Sequence, residues 1–344
     1  MSTVGGGLPI QPPPGSARMT RSIGGFPTPP WGARPPLSRK TVMKNLVRNT
    51  RKERSKYQHK KNLPVSGNGK AVLIERERDR KLFVCKIIAL GTHAPSDWLH
   101  EVRIVRARRR NERIVRTVKT TSHLLPTEPP PQGQIYTEYC DAGDLFDMIL
   151  GYKSKMIEPP ESLVWHIYLQ MAQGLAFLHH GYHHEDDFPS VPQVWDPIIH
   201  GDIKPDNVFL RRNQRHPQLF PDVVIGEFGT ASKNEDNRIL GTPYWAAPEC
   251  KSTAKADVWS MGACVQNLAT GRGPMIDQDR AQRVSTSQLV HFGKYTRQVL
   301  ELDNYSNELN ECVREAMQID EDERRTSLEI VKVITALVML GVPR

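Results

Sequence analysis

The spacing of hydrophobic residues changes at Glu161 of the 344-residue chain. Before that point, short apolar runs separated by turn-forming residues predict β-strands. After it, apolar residues recur at three- and four-residue steps, which predicts a long amphipathic helix starting at Glu161. The pattern therefore predicts a small β-rich part followed by a larger α-rich part. The expected strands cover residues 71–76, 82–88, 114–119, 134–139, 208–210 and 221–224, and further helices are expected over residues 96–110 and 330–342.

The first 62 residues show neither periodicity. Residues 1–38 are rich in Gly and Pro and offer too little apolar surface to offset the entropy of ordering, so we expect disorder. Residues 39–61 carry ten Lys and Arg and form a basic tail segment. It is interpreted either as a solubilising arm or as a nuclear-localisation signal or a patch for an acidic or nucleic-acid partner. We therefore expect a tail over residues 1–62 and an ordered domain from about Leu63.

Positive charge is concentrated in that tail. The chain has 47 Lys and Arg against 38 Asp and Glu, a formal charge of +9. Residues 1–62 hold thirteen of the basic residues and one acid, Glu53, so the tail carries +12 and the remainder −3. The basic balance therefore describes the tail and not the folded body.

Composition restricts the class of protein. Hydrophobic residues make up 38% and charged residues 25% of the chain, which excludes a membrane-embedded bundle and a wholly disordered chain. No apolar run reaches the roughly 18–20 residues of a membrane-spanning helix, and the N-terminus has no signal-peptide core. The five cysteines are scattered without C-x-x-C spacing. We therefore expect reduced thiols in an intracellular protein of the cytoplasm or nucleus, with no membrane partner.

One short segment, residues 200–207, combines the groups that phosphoryl transfer requires. Asp202 offers a base, Lys204 a cation that can face a phosphate, and Asn207 an oxygen ligand for Mg²⁺. The apolar strand that follows would fix this loop to the core. A polar surface loop without catalytic function is the alternative interpretation of the same residues.

Two upstream features are consistent with a phosphate-binding site. Lys86 ends an apolar strand, where its ammonium can be held against an anion, and Glu101 on the next expected helix can pair with it. Gly67 and Gly69 precede the strand pair, and glycines let backbone N–H groups approach phosphates. Simpler explanations exist: an amphipathic lysine at a strand end beside a solvated glutamate, and a hairpin turn.

Further motifs follow in order along the chain. They are G-E-F-G at residues 226–229, G-T-P-Y-W-A-A-P-E at residues 241–249 and D-V-W-S-M-G at residues 257–262. Together with the strand lysine, the helix glutamate and the 200–207 loop, the series resembles the signature motifs of the eukaryotic protein kinase family. The resemblance runs from about Leu63 to Arg344.

The resemblance extends to a branch of that family. Lys204 and residues 241–249 resemble serine/threonine kinases, and residues 164–167 and 221–224 resemble fungal kinases of the NIMA-related group. This implies an α+β bilobal fold, with a β-rich N-lobe and hinge over residues 63–140 and a helical C-lobe over residues 141–344. It also implies transfer of phosphate from ATP, with Mg²⁺, to Ser or Thr of protein substrates. The ATP-binding residues implied are Lys86, Glu101, Gly67, Gly69, Glu138, Cys140 and Asp144.

The same resemblance implies roles around the reaction. Asp202 would accept the hydroxyl proton of the substrate, and Lys204 would steady the γ-phosphate. Asn207 and Glu227 would hold Mg²⁺. Three structural residues are also implied, namely Glu249 and Arg324 as a buried ion pair, and Asp257 as the acceptor of backbone hydrogen bonds from the 200–207 loop.

Several positions depart from the family pattern. Glu227 stands where the family has Asp, and an error of about 1 Å in placing a catalytic group costs on the order of a hundredfold in rate. Gly201 replaces the arginine that pairs with a phosphate on the activation segment, where Ser232 and Thr242 are the remaining hydroxyls. Val72 stands at the third glycine of the phosphate loop. Two functions therefore remain open: a kinase of weakened activity, or a pseudokinase that binds nucleotide or acts as a scaffold.

A short cluster of histidines and acids lies between the long helix and the 200–207 loop. It comprises His183 and His184 followed by residues 185–187, Glu-Asp-Asp. Metal binding is one interpretation, and a solvated loop is the other.

Overall fold

The structure is a computed structural model. It describes residues 56–63, 70–89, 110–123, 132–184, 191–192, 194–213, 216, 218–233, 235–237, 241–275 and 297–342. The expected disordered segment 1–38, the basic residues 39–55 and the helix expected over residues 96–110, apart from Arg110, lie outside these ranges.

A five-stranded antiparallel sheet forms the described part of the smaller lobe. Its strands are β1 (Tyr57–Leu63), β2 (Lys70–Arg76), β3 (Leu82–Ala89), β4 (Thr117–His123) and β5 (Gln132–Glu138), in the spatial order β1-β2-β3-β5-β4. Strand β3 is therefore central, and its pairing with β5 sets Lys86 opposite Ile135. A small core of Ile74, Phe83, Cys85 and Tyr136 packs on one face of the sheet.

The expected start of order near Leu63 is wrong by one strand, because β1 lies within the segment assigned to the tail. The Tyr57 ring packs 5.4 Å from that of Tyr136 and 6.2 Å from that of Phe83, centroid to centroid. Lys60 on the same strand pairs with Glu75 at 3.1 Å. Its basic residues led to the assignment of this segment to the tail. Charged side chains are, however, also common on the edge strands of sheets.

The strand expected over residues 114–119 is displaced along the chain, because β4 starts at Thr117. The Val115 N–H donates to the carbonyl of Ile225 at 2.8 Å, and the Ile225 N–H donates to the carbonyl of Arg113 at 2.8 Å. The apolar residues before β4 therefore pair with the larger lobe. The expected division between the lobes at residue 140 does not account for this contact of residues 113–115 with the larger lobe.

Helices supply most of the larger lobe. The described ones are α1 (Leu145–Lys155), α2 (Glu161–His180), α3 (Ala254–Thr270), α4 (Asn307–Ala316) and α5 (Ser327–Met339), and strands β6 (Val208–Arg211) and β7 (Asp222–Ile225) form an antiparallel pair. The predicted start of α2 at Glu161 is confirmed. None of the helices in these ranges is long and apolar enough to cross a membrane.

Helix α2 is the centre of the core. Fourteen of its residues are buried, and it packs against α3, α5 and β7. Helix α5 starts at Ser327, three residues before its predicted start, because Thr326 and Glu329 form a capping box. Its inner residues are buried, but Met339 is 83% exposed, so the expectation of a buried terminal helix is wrong for its last turn.

An enclosed ion pair joins two distant parts of the larger lobe. The Arg324 guanidinium donates to both carboxylate oxygens of Glu249, at 2.8 and 3.0 Å, and its side chain has no exposed surface. It also donates to the carbonyls of Lys255 and Gln318 and lies 5.3 Å from the Trp259 ring centroid. The pair expected from the sequence is therefore present, with the remaining donors of the guanidinium satisfied.

We predict that Arg324→Ala lowers the free energy of unfolding by about 3–5 kcal/mol, because it leaves the Glu249 carboxylate buried without its cation. Urea denaturation measures the loss. Arg314→Ala is the matched control, because its pair with Glu311 is largely exposed and such pairs contribute less than about 1 kcal/mol. Equal losses in the two variants would contradict a structural role for the enclosed pair.

Candidate active site

The loop over residues 200–207, called the Asp202 loop below, is closed by one asparagine. The Asn207 side-chain amide donates to the backbone carbonyl of Asp202 at 2.8 Å and to its Oδ2 at 3.0 Å. Residues 205–207 form a 3-10 turn that leads into β6. The Lys204 ammonium lies 3.6 Å from the same carboxylate. The structure therefore brings together the three residues on which the sequence argument relied.

A buried carboxylate supports this loop from beneath. Asp257, near the start of α3, accepts from the backbone N–H groups of His200 at 2.7 Å and Gly201 at 2.9 Å. It also contacts Nε2 of His179 at 3.0 Å. The hydrogen bonds that the sequence led us to expect for Asp257 are present, and they fix the backbone immediately before Asp202.

Two residues of the candidate site have positive φ angles, which are uncommon in proteins. Gly201 has φ of 74°, a left-handed conformation that costs glycine little, and Glu227 adopts φ of 63° without that freedom. Strained residues of this kind are common at functional sites. His200 links the two segments, since its Nε2 lies 2.8 Å from the Gly226 carbonyl and its ring packs 5.0 Å from that of Phe228.

The strand lysine meets an acid from the other lobe. The Lys86 ammonium donates to Oε2 of Glu227 at 2.9 Å, and the two side chains are 19% and 35% exposed. The pairing partner that the sequence suggested, Glu101, lies outside the described residues, as do Gly67 and Gly69. The ion pair shows that the cation of β3 and the carboxylate after β7 face one space.

Thr242 is a site residue that sequence reasoning missed, because it treated this threonine only as a hydroxyl open to phosphorylation. Its backbone N–H donates to Asp202 Oδ1 at 2.6 Å, and its Oγ1 accepts from Lys204 Nζ at 2.9 Å. A Cβ on the preceding Gly241 would come within 2.5 Å of Asp202 Oδ1. The G-T pair at the start of residues 241–249 was the available signal.

The linker between the lobes is held by side chains behind it. The Glu138 carboxylate accepts from the backbone N–H of Arg116 at 2.8 Å and from the Arg211 guanidinium at 3.3 Å. The backbone N–H of Glu138 donates to the Arg116 carbonyl at 3.0 Å. Burial raises the pKa of the neighbouring Cys140 thiol to about 12, so it is neutral at physiological pH.

Asp144 follows this linker and caps helix α1. Its Oδ1 accepts from the backbone N–H of Asp147 at 2.8 Å. Burial raises the pKa of the Asp144 carboxyl above its usual value. This carboxylate therefore stabilises the start of helix α1.

The donor set is consistent with a magnesium ion. Both N–H groups of the Asn207 amide point at Asp202, so its oxygen is directed away from that residue. Only Oε2 of Glu227 is engaged by a described residue. An amide and a carboxylate oxygen are ligand types that Mg²⁺ accepts, usually with phosphates and waters completing its shell.

The histidine cluster does not form a metal site within the part of the chain described here. No group of three or more His, Cys, Asp or Glu side chains with metal-binding geometry occurs there, and residues 185–187 lie outside it. Burial, followed by the charge of Arg113, lowers the pKa of His184 to about 4. The His183 ring packs 4.9 Å from the Phe177 ring. These two histidines are packing residues.

A family model described as "Protein kinase domain" matches residues 57–334. The chain belongs to the protein kinase domain family. The matched region of this kinase domain begins at Tyr57, the first residue of β1, in agreement with the corrected domain start.

The kinase domain is similar to curated proteins named as serine/threonine-protein kinases and as a G2-specific protein kinase. They include "Probable serine/threonine-protein kinase nek2" of Dictyostelium discoideum, 26% identical over 269 residues, which are 75% of this chain and 57% of that protein. "Serine/threonine-protein kinase Nek4" of Mus musculus is 26% identical over 280 residues, 77% of this chain and 30% of that protein. "G2-specific protein kinase nimA" of Emericella nidulans is 25% identical over 217 residues, 57% of this chain and 29% of that protein. The predicted similarity to NIMA-related kinases is confirmed, and the chain spans 29–57% of the length of these relatives.

We predict that the kinase domain loses stability as the pH falls from about 6.5 towards 4. Above pH 6.5 the His184 ring is neutral in both states. Below it the unfolded chain binds a proton that the folded ring, with its pKa of about 4, does not. The loss at pH 5.5 amounts to about 1 kcal/mol from this residue. Urea denaturation at pH 7.5 and 5.5 measures it.

His184→Gln should flatten this pH dependence, whereas His59→Gln, on the exposed face of β1, should leave it unchanged. Identical pH profiles for wild type and His184→Gln would show that the buried ring does not cause the effect.

Proposed function

We propose that the chain is an ATP- and Mg²⁺-dependent serine/threonine protein kinase of weakened activity. The observation that carries this proposal is the fixed position of the Asp202 carboxylate. It lies between the Asn207 amide and the Thr242 N–H, with the Lys204 ammonium 3.6 Å away. A base held beside a cation and a metal-ligand amide is the arrangement that phosphoryl transfer to a hydroxyl requires.

Asp202 would orient the substrate hydroxyl and take its proton as the new O–P bond forms. The hydrogen bonds to its two oxygens fix the direction of the carboxylate and leave lone pairs for that proton. Lys204, steadied by Thr242 Oγ1, would neutralise charge on the transferring phosphoryl group. Positioning and charge neutralisation are the main contributions a protein makes to this reaction.

Asn207 and Glu227 would hold Mg²⁺, and Lys86 would contact the α- and β-phosphates of ATP. When bound, the ion neutralises charge on the phosphates and helps to align them. Backbone groups of Glu138 and Cys140 would bind the adenine edge, and the carboxylate of Asp144 would face the ribose. Glu227 is one methylene longer than Asp, so its carboxylate is displaced from the family position, and this supports a reduced rate.

We predict that Glu227→Asp raises the rate of phosphate transfer, by up to about a hundredfold, because it restores the shorter ligand. Asp202→Asn should reduce the rate by about 10²–10⁴-fold, because the variant lacks the base. The measurement is transfer of radiolabelled phosphate from ATP to casein, with the purified full chain and Mg²⁺.

Asp206→Asn is the matched control for Asp202→Asn. It makes the same change in the same loop at an exposed position, and its rate should equal that of wild type. Equal incorporation by wild type, Asp202→Asn and Glu227→Asp would exclude the enzymatic function.

A pseudokinase is the second candidate, and the ion pair between Lys86 and Glu227 favours it. The cation that would contact phosphates is already paired at 2.9 Å, so a nucleotide must separate the two side chains. Such a domain would bind nucleotide or act as a scaffold through its conformation.

We predict that Glu227→Gln strengthens binding of ATP in the absence of Mg²⁺ and weakens its dependence on Mg²⁺. The substitution releases Lys86 and removes a negative charge from beside the phosphates while it keeps the size of the side chain. The measurement is the rise in melting temperature with ATP, in Mg²⁺ and in EDTA. Unchanged shifts relative to wild type would place the nucleotide away from this ion pair.

The cysteines support an intracellular location for the proposed kinase. All five thiols are free and buried, at Cys85, Cys140, Cys250, Cys264 and Cys312. Burial raises the pKa of Cys85 to about 11 and that of Cys312 to about 12, so neither is a reactive thiolate. Protein substrates bearing Ser or Thr remain the proposed partners.

A further inference from the structure

A depression in the protein surface lies behind the linker between the lobes. It is a groove of about 840 Å³, lined by the turn between β2 and β3, by β4, by the linker and by the β6–β7 hairpin. Its lining includes Leu82, Arg116, Glu138 and Arg212. Of the residues proposed to bind ATP or to act in phosphate transfer, the groove shares only Glu138 with the site described above.

Six cationic side chains line the groove, and only some have acidic partners. Arg76 pairs with Asp79 at 2.5 Å, and Arg211 pairs with Glu138 at 3.3 Å. In contrast, the side chains of Lys81, Arg116 and Arg212 form no ion pair with any described residue, and all three residues are exposed. Arg78 lies 3.7 Å from the already paired Asp79 and is 75% exposed.

These unpaired cations come from both lobes. Lys81 lies on the β2–β3 turn, Arg116 precedes β4, and Arg212 follows β6. The folded body carries a net charge of −3 beyond residue 62, so this basic surface is a local feature and not the result of overall charge. Unpaired cations that line one groove attract anionic ligands.

The other residues that line the groove indicate which class of anionic ligand fits it. Leu82 and Val118 are 36% and 37% exposed at the groove, which offers apolar contacts. Glu112 and Asp141 also line it and would repel a ligand with negative charge at every unit, such as a nucleic acid. A peptide can place its acids opposite the cations and its apolar residues opposite Leu82 and Val118.

We propose that this groove is a docking site for an extended peptide segment of a partner protein that carries anionic side chains, either carboxylates or phosphates. Lys81, Arg116 and Arg212 bind the anionic side chains, and Leu82 with Val118 contacts the apolar residues between them. None of these five residues has a role in the proposed phosphate transfer, so peptide binding here does not require that reaction.

The test is fluorescence anisotropy with the full chain and a labelled peptide in which Glu alternates with Leu or Ala. An extended peptide of this pattern presents carboxylates on one side and apolar groups on the other. It contains no hydroxyl, so it cannot be a substrate, and a failure of docking is distinct from a failure of the proposed kinase activity. We expect binding that weakens with salt and is lost when Gln replaces Glu.

The double variant Lys81→Ala with Arg212→Ala should weaken binding about fivefold, from the loss of two exposed charge contacts. Lys153→Ala with Lys155→Ala is the matched control, because it removes the same charge from exposed positions at the end of α1. Melting temperatures show whether both variants fold. Hydrogen exchange should show protection by the peptide at residues 81–83 and 210–213.

A version of the peptide with phosphoserine in place of Glu identifies the source of the anion. Tighter binding than that of the Glu peptide indicates a phosphorylated partner. Equal or weaker binding indicates a partner that carries carboxylates. Four results would overturn the proposal. They are equal affinity for the Gln peptide, an unchanged affinity in the groove variant, displacement of the peptide by ADP with Mg²⁺, and protection of residues 81–83 and 210–213 from hydrogen exchange by a single-stranded oligonucleotide but not by the Glu peptide.

Discussion

The buried Asp257 carboxylate accepts two backbone N–H groups of the Asp202 loop and contacts the buried ring of His179. A buried carboxylate is costly unless its oxygens are hydrogen-bonded, so the loop and the two helices must close on it together. Through this contact the packing of α2 and α3 determines where Asp202 lies. The base of the proposed reaction is thus positioned by the most buried helices of the domain, as precise placement of a reacting group requires.

The Lys86–Glu227 contact between the lobes differs from the buried contacts of Asp257. Lys86 and Glu227 form a partly exposed ion pair, which contributes little to stability and can open without unfolding either lobe. Glu227 is both a proposed Mg²⁺ ligand and a partner of Lys86. The proposed weakening of catalysis and the ion pair that a nucleotide would have to separate therefore depend on the same residue.

The order of elements and the Asp202 loop as the candidate site could be predicted from the sequence, because strands, helix α2 and residues 200–207 each carry a local pattern. The Glu249–Arg324 pair and Asp257 became predictable only through resemblance to a family, since their partners are distant in the chain. Strand β1 was missed because its basic residues resemble the tail before it. The contacts of Thr242 and of Arg211 depend on backbone direction and hairpin placement, which no local pattern encodes.

The proposed function requires that residues from both lobes surround one nucleotide. The decisive measurement is a crystal structure of the full chain with Mg²⁺ and a non-hydrolysable ATP analogue. We expect the Lys86–Glu227 pair to be broken, with the lysine on the phosphates and with Glu227 and Asn207 on the metal ion. A nucleotide bound elsewhere, or an intact ion pair beside the bound analogue, would contradict it.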